Sequence, residues 1–438
     1  MDQATRPNAD IASALHEAEE HYSAANPESL AQHQVASEAL PGGNTRTSIF
    51  YTPFPLTMAR GEGQRLWDLD GHRYTDWLGE YTAGIFGHSH PVIRAALDQA
   101  LDGGINFGAQ GALEARFAEA IVARFPSIEL VRFTNSGTEA NLMALVTARA
   151  VTGRSKVMVF DGGYHGGVFY FRGTPPAINA PFEFVIAPYN DTAGALALID
   201  QHAGALAAII LEPMMGSGGC IPAEREFLAA LRAAATRTGA ILIFDEVMTS
   251  RLSPGGLQQA TGVMPDLTTL GKYIGGGMSF GAFGGRADLM ERYDPRRADH
   301  FPHAGTFNNN VLTMNAGIAG LTKIYTAEAA AALNARGDRL RTRLNGLTRE
   351  RGLAMQFTGL GSMLQVHMRG GTIRTPADAA QGDAALRDLF FFDLLARGHW
   401  FAKRGMAALS LAITDDDCDA LAAAVEDFCA VRGSLLRT

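Results

Sequence analysis

The sequence predicts an α/β protein with a mainly parallel central sheet flanked by helices, and a smaller α+β part made from the two ends of the chain. Three observations carry this. From about residue 130, short apolar runs alternate with Gly-rich or polar turns and then helical stretches, the rhythm of βα units. The runs end on polar or turn-forming groups, and in a parallel sheet those ends share one edge. Beyond about residue 325 the pattern changes to Ala-rich helix, one strand-like run and a last helix.

Taken in order, residues 11 to 40 read as helical and stop at Pro41-Gly42-Gly43, where turn chemistry takes over. Leu66-Trp67-Asp68 and Arg73-Tyr74-Thr75-Asp76-Trp77 flank Asp70-Gly71, a dipeptide suited to the positive φ of a tight hairpin. The apolar runs that follow are 130–134, 156–160, 207–211 and 241–244, ending on Asn135-Ser136-Gly137, Asp161-Gly162-Gly163, Glu212-Pro213 and Asp245-Glu246. Helix is expected over 328–350 and 415–431, and a strand over 362–368. The domain plan is an N-terminal segment 1–75 joining a small domain, a large domain 76–325 and a C-terminal small domain 326–438.

Composition narrows the function. The chain has 438 residues, 47% hydrophobic and 19% charged, which disfavours disorder and fibre. With 37 Lys and Arg against 45 Asp and Glu, the net charge of −8 repels nucleic acid and anionic lipid. Cys220, Cys418 and Cys429 lack the spacing of a disulfide framework or a thiolate metal site, so no metal is expected. No apolar run approaches a membrane span, and Met1 to Arg6 leads into acidic, Ala-rich sequence without an apolar leader core. A cytoplasmic protein is expected.

The chemistry gathers on the shared sheet edge. Ser136-Gly137-Thr138 opens a helix, where free N–H groups and two hydroxyls suit one phosphate; alone, Ser136 would be read as a helix cap. Asp245 closes a buried strand and Lys272 opens a later Gly-rich turn; alone they would be a sheet-edge hydrogen bonder and a solvated lysine. Together the three pieces meet one need. Pyridoxal phosphate requires a lysine for its Schiff base, an anion opposite its pyridine nitrogen and a phosphate cup. Tyr164, in a glycine-flanked turn, can stack on the ring, whereas His165 alone is more often structural.

Two strings are decoys. Gly277-Met278-Ser279-Phe280-Gly281 fits the nucleophile-elbow pattern, but its glycine-rich surroundings are poor helix, so a serine hydrolase using Ser279 is a weak rival. Neither G-x-G-x-x-G nor the P-loop string occurs, which removes the main support for dehydrogenase and NTPase readings.

The set Pro41-Gly42-Gly43, Asn135 to Ala140, Tyr164-His165-Gly166, Leu211-Glu212-Pro213, Phe244 to Val247, Leu270-Gly271-Lys272 and His303 to Phe307 resembles the class III (ω-type) aminotransferases of the fold type I pyridoxal-phosphate superfamily. The resemblance covers nearly the whole chain and lies in the branch that includes glutamate-1-semialdehyde aminomutase. It implies that Lys272 holds the cofactor and acts with Asp245 in catalysis, that Ser136, Gly137 and Thr138 bind the phosphate, and that Tyr164, Glu212 and Val247 complete the cofactor site. It further implies that Thr306 reaches the phosphate of the neighbouring subunit, hence a homodimer with shared active sites.

Two details lean away from the aminomutase. Arg46 stands five residues past Pro41, where that enzyme has an arginine eight past, and the stretch after Asn308 lacks a usual proline. With Ser48 to Pro55, these resemble the β-amino acid aminotransferases acting on β-phenylalanine, which implies carboxylate binding by Arg46 and by Arg404 of the C-terminal part. The expected reaction moves the amino group of a β-amino acid to a 2-oxo acid such as 2-oxoglutarate or pyruvate, by ping-pong kinetics. The alternative is an aminomutase-type isomerase. Phe50, Tyr51, Phe54 and Tyr81 are expected to offer an aryl pocket, or else ordinary core.

Overall fold

The computed structural model describes residues 10–437, so the charged start Met1 to Arg6 lies outside the described residues. A seven-stranded sheet organises the molecule, in the spatial order Leu130–Thr134, Gly281–Gly285, Leu267–Gly271, Ile241–Asp245, Leu206–Leu211, Lys156–Phe160, Glu183–Ala187. Gly281–Gly285 runs antiparallel to both neighbours; the other pairings are parallel. The central strands Leu206–Leu211 and Ile241–Asp245 are buried at every position. Helices cover both faces, which is why these strands read as continuous apolar runs rather than alternating ones.

Three strands of this sheet are not evident from the residues. Gly281–Gly285 contains three glycines, a composition that disfavours a strand. Packing overrides propensity here: a Cβ on Gly284 would stand 2.6 Å from the Leu130 carbonyl oxygen. Leu267–Gly271 carries two buried threonines, and Glu183–Ala187 is an edge strand of mixed burial.

The helix Gly137–Thr152 shows how local signals place the site. Ser136 Oγ accepts from the Glu139 amide at 3.2 Å and begins the helix, while Gly153 ends it in the left-handed region at φ 67°. The cap reading of Ser136 therefore holds, and the helix N-terminus still points at the sheet edge where Asp245 and Gly271 end.

The chain ends build two smaller sheets. Met58–Glu62, Arg65–Asp68 and Arg73–Asp76 form an antiparallel meander, which His399–Trp400 extends in parallel. Its turn uses Asp70-Gly71 as expected, with Gly71 at φ 90°. Asp70 does a second job: its carboxylate accepts from the Glu28 and Ser29 amides at 2.7 and 3.0 Å. Those amides begin the helix Pro27–Ser37, so the continuous helical reading of residues 11 to 40 is corrected to two helices, Ile11–Ala25 and Pro27–Ser37. Pro27 has no N–H for the preceding turn and starts the second helix instead. Gln356–Leu360, Met363–His367 and Met406–Ala408 form the other sheet, packed on Ala327–Glu350. Among the described residues no helix is long and apolar enough to cross a membrane.

Candidate active site

The floor of the site is Asp245, buried at the end of its strand. Its Oδ2 accepts from Asn141 Nδ2 and His165 Nδ1, both at 2.8 Å, and its Oδ1 accepts from the Val247 amide at 3.0 Å. Asn141 is itself fixed, because Thr269 Oγ1 donates to its Oδ1 at 2.6 Å. The carboxylate is thus held from the helix Gly137–Thr152, from the 164–166 loop and from the turn that follows its own strand, while the adjacent strand acts through Thr269 on Asn141. His165 Nε2 is buried without a partner.

Lys272 follows the adjacent strand directly, with φ 53°. That left-handed conformation costs a non-glycine residue roughly 1–2 kcal/mol, and such outliers concentrate at functional sites. Burial pushes the Lys272 amine down to about 8, Arg404 and Arg46 push the same way, and Asp245 and Glu80 oppose them. About half the amine is then neutral near pH 8. These named charges all converge on the amine.

Ser136, Gly137 and Thr138 stand at the helix N-terminus beside this pair. Thr138 Oγ1 accepts from the Gly167 amide at 3.0 Å, tying the helix start to the loop that bears Tyr164. Gly137 lies against Val247: an added Cβ would come within 2.9 Å of a valine methyl carbon. Tyr164 is partly exposed and meets Tyr170 edge-on at 5.0 Å. Glu212 uses its two carboxyl oxygens on backbone, accepting from the Tyr164 amide at 3.3 Å and the Gly216 amide at 2.9 Å. Burial raises its carboxyl to about 7 against the opposing pull of His165. Its contacts make it a support for the Tyr164 loop.

The rim carries the two arginines, and they differ. Arg46 pairs with Glu80 at 2.5 Å. Arg404 has no carboxylate partner among the described residues; its Nη2 lies 3.0 Å from Met406 Sδ and its buried Nε is unpaired. Both guanidinium carbons lie over the ring of Tyr81, at 5.7 Å for Arg46 and 5.3 Å for Arg404. Tyr81 donates to the Ser48 carbonyl at 2.6 Å.

Some expected residues stand apart. Thr306 is exposed in a turn closed by the Asn308 amide on the Gly305 carbonyl, and Asn135 Nδ2 donates to Asn308 Oδ1 at 3.1 Å. Of the four aromatics, Phe54 and Tyr51 belong to the buried core around Tyr22. Phe50, Tyr51 and Tyr81 line a cavity of about 430 Å³ with Trp400 and Arg404. Ser279 precedes a strand rather than a helix, which removes the nucleophile elbow and with it the hydrolase alternative. The residue pattern alone does not point to Asn141, Thr269 or Glu80, and the structural role expected of His165 is its hydrogen bond to Asp245. Asn141 alone has a local signal, since it directly follows the Asn135 to Ala140 segment.

The model of the family described as aminotransferase class-III matches residues 48–428. A β-phenylalanine transaminase of Variovorax paradoxus is 54% identical over 429 residues, covering 98% of this chain and 99% of that protein. The crystal structure of a β-phenylalanine aminotransferase from that organism superposes with a TM-score of 0.96 at 54% identity, over 98% and 99% of the two chains. A solved transaminase with bound pyridoxal phosphate has a TM-score of 0.85 at 32% identity, over 94% and 98%. A glutamate-1-semialdehyde 2,1-aminomutase of Sorangium cellulosum is 38% identical, over 92% and 96%. Matched over almost its whole length by these enzymes and by the family model, the chain belongs to the class-III aminotransferases.

Proposed function

We propose that this transaminase takes its amino group from a β-amino acid with an aromatic side group, such as β-phenylalanine, and gives it to a 2-oxo acid such as 2-oxoglutarate or pyruvate. The observation that carries the reading is the pair of unlike guanidiniums, Arg46 and Arg404, on one tyrosine ring beside Lys272. A β-amino acid holds its carboxylate one carbon farther from the reacting carbon than a 2-oxo acid does. Two arginines at different positions can serve both, each gripping a carboxylate bidentately. The similarity to the Variovorax enzyme supports the same donor, and the cavity beside Tyr81 supplies apolar walls for an aryl group.

The cofactor is pyridoxal 5'-phosphate, and the residues present fit it. A buried carboxylate with three fixed donors faces a depressed lysine amine, and a helix N-terminus with two hydroxyls stands beside them. When bound, the cofactor supplies an aldehyde that captures amines and a ring that withdraws electrons. Asp245 would hold a proton on the ring nitrogen, and Ser136, Gly137 and Thr138 would hold the phosphate. Tyr164 and Val247 would flank the ring, with Glu212 behind the Tyr164 loop. Neutral Lys272 Nζ would take the proton from the substrate carbon that bears the amino group, acting as general base.

The enzyme is read as a homodimer in which Thr306 of each subunit reaches the other's phosphate; the exposure of Thr306 and of Phe307, at 56%, supports this. The domain plan 1–75, 76–325 and 326–438 and a cytoplasmic setting remain part of the same reading. The deciding experiment incubates the holoenzyme with β-phenylalanine, α-amino acids and simple amines, with and without 2-oxoglutarate or pyruvate. Consumption of β-phenylalanine only when an oxo acid is added supports the proposal. Isomerisation without acceptor would favour the aminomutase, and turnover of α-amino acids alone would remove the β-amino acid assignment.

A further inference from the structure

We propose that Glu80 is a specificity-determining residue: its carboxylate occupies Arg46 in the free enzyme, and a donor's carboxylate must displace it. The inference rests on the assignment of Arg46 to the β-amino acid carboxylate. Among the described residues only Arg46 of the two rim arginines has a counter-ion, and that counter-ion is Glu80.

The placement of Glu80 is built. Gly79, Glu80, Tyr81 and Thr82 all have positive φ, at 51°, 49°, 52° and 82°, a left-handed turn in which three residues are not glycine. Non-glycine residues enter that region singly, so a run of three persists only where the surroundings impose it. Here they do. Asp76 Oδ1 accepts from the Leu78 and Gly79 amides at 2.8 and 3.0 Å, and its Oδ2 meets His88 Nε2 at 2.9 Å. At the other side Tyr81 bonds the Ser48 carbonyl, on the same loop as Arg46. The turn therefore carries Glu80 to the arginine and holds the two loops together.

The strength of the pair suits displacement. Side-chain exposure is 44% for Arg46 and 59% for Glu80, and ion pairs so open to water are weak. A substrate carboxylate that also seats an aryl group and an amine can replace Glu80, whereas an amine without a carboxylate at that distance leaves the pair closed. During the acceptor half-reaction an oxo acid on Arg404 leaves Arg46 neutralised, which keeps a second carboxylate from binding at the wrong depth.

The test measures binding of 3-phenylpropanoate, an unreactive carboxylate of β-amino acid length, to holoenzyme by calorimetry. Glu80→Gln keeps the volume and removes the competing charge. It should tighten binding about fivefold and lower KM for the β-amino acid by a similar factor, while KM for the oxo acid moves less. Arg46→Ala should weaken binding, and in its background Glu80→Gln should change nothing. Unchanged or weaker binding in Glu80→Gln, with weakened binding in Arg46→Ala, overturns the competition alone. Unchanged binding in Arg46→Ala overturns the Arg46 assignment as well.

Discussion

The floor and the rim of this site are built on opposite plans. At the floor, Asp245 is buried and receives three donors, from a helix, from the 164–166 loop and from the turn after its own strand, and the helix donor Asn141 is fixed by a further hydrogen bond from Thr269. At the rim, Arg46 and Glu80 are half open to water and Arg404 has no carboxylate partner among the described residues. Buried polar groups that are fully satisfied lock one geometry, while exposed pairs exchange partners at little cost. The difference teaches a division of labour. Cofactor chemistry is identical in both half-reactions and can be rigid; substrate recognition must accept two carboxylates in turn and cannot be.

The largest effects should come from the floor. Lys272→Ala should lower turnover by at least about a thousandfold, measured with saturating cofactor, because it removes the proposed general base. Asn141→Ala should cost about 1–3 kcal/mol of stability in urea unfolding, since it strips a donor from Asp245 and leaves Thr269 without its acceptor. If Asn141→Ala unfolds like wild type, the floor is less rigid than its hydrogen bonds imply, and the contrast with the rim weakens.

At the rim, Arg46→Ala should slow the β-amino acid half-reaction by about a hundredfold and the oxo-acid half much less, with Arg404→Ala showing the opposite bias. Single-turnover absorbance of the cofactor reads each half separately. Equal losses in both halves for both variants would mean that the arginines act as one positive patch, and the rim would have no internal specialisation.

What could be read from the residues follows the same boundary. Asp245 and Lys272 were legible because each borders a local pattern, the end of an apolar strand and the start of a Gly-rich turn. The hydrogen-bonding role of His165 was legible but its partner was not, and the roles of Asn141 and Thr269 come from which strands and helices become neighbours. The strand Gly281–Gly285 was hidden because its glycines are chosen by crowding from Leu130 and other neighbours rather than by propensity. Glu80 was least visible of all: nothing local announces a left-handed turn made of Glu, Tyr and Thr.

Proton linkage at Lys272 gives a smaller effect. Its native value of about 8 lies below the ordinary 10.5, so between those values the unfolded chain binds the extra proton and stability rises with pH. Below pH 8 the cofactor-free protein carries the full cost of a desolvated ammonium. Lys272→Met should therefore stabilise cofactor-free protein at pH 7, and the gain should fade as pH climbs from about 8 towards 10.5. Denaturant midpoints across that range check it; a gain independent of pH would point to packing instead of charge.

The smallest effect should separate the two uses of Tyr81. Tyr81→Phe removes the hydroxyl bond to the Ser48 carbonyl but keeps the ring beneath both guanidiniums. The lost bond is worth about 0.5–1.5 kcal/mol, and it ties the left-handed turn to the Arg46 loop, so KM for the β-amino acid should rise a few-fold while the oxo acid is unaffected. Tyr81→Leu also removes the ring, and each exposed cation–π contact contributes about 0.5–1 kcal/mol. Both substrates should then suffer, because the ring is a surface that Arg46 and Arg404 share. If Tyr81→Phe already weakens both substrates equally, the turn couples the two arginines more tightly than their separate pairings imply, and the rim would behave as one unit like the floor.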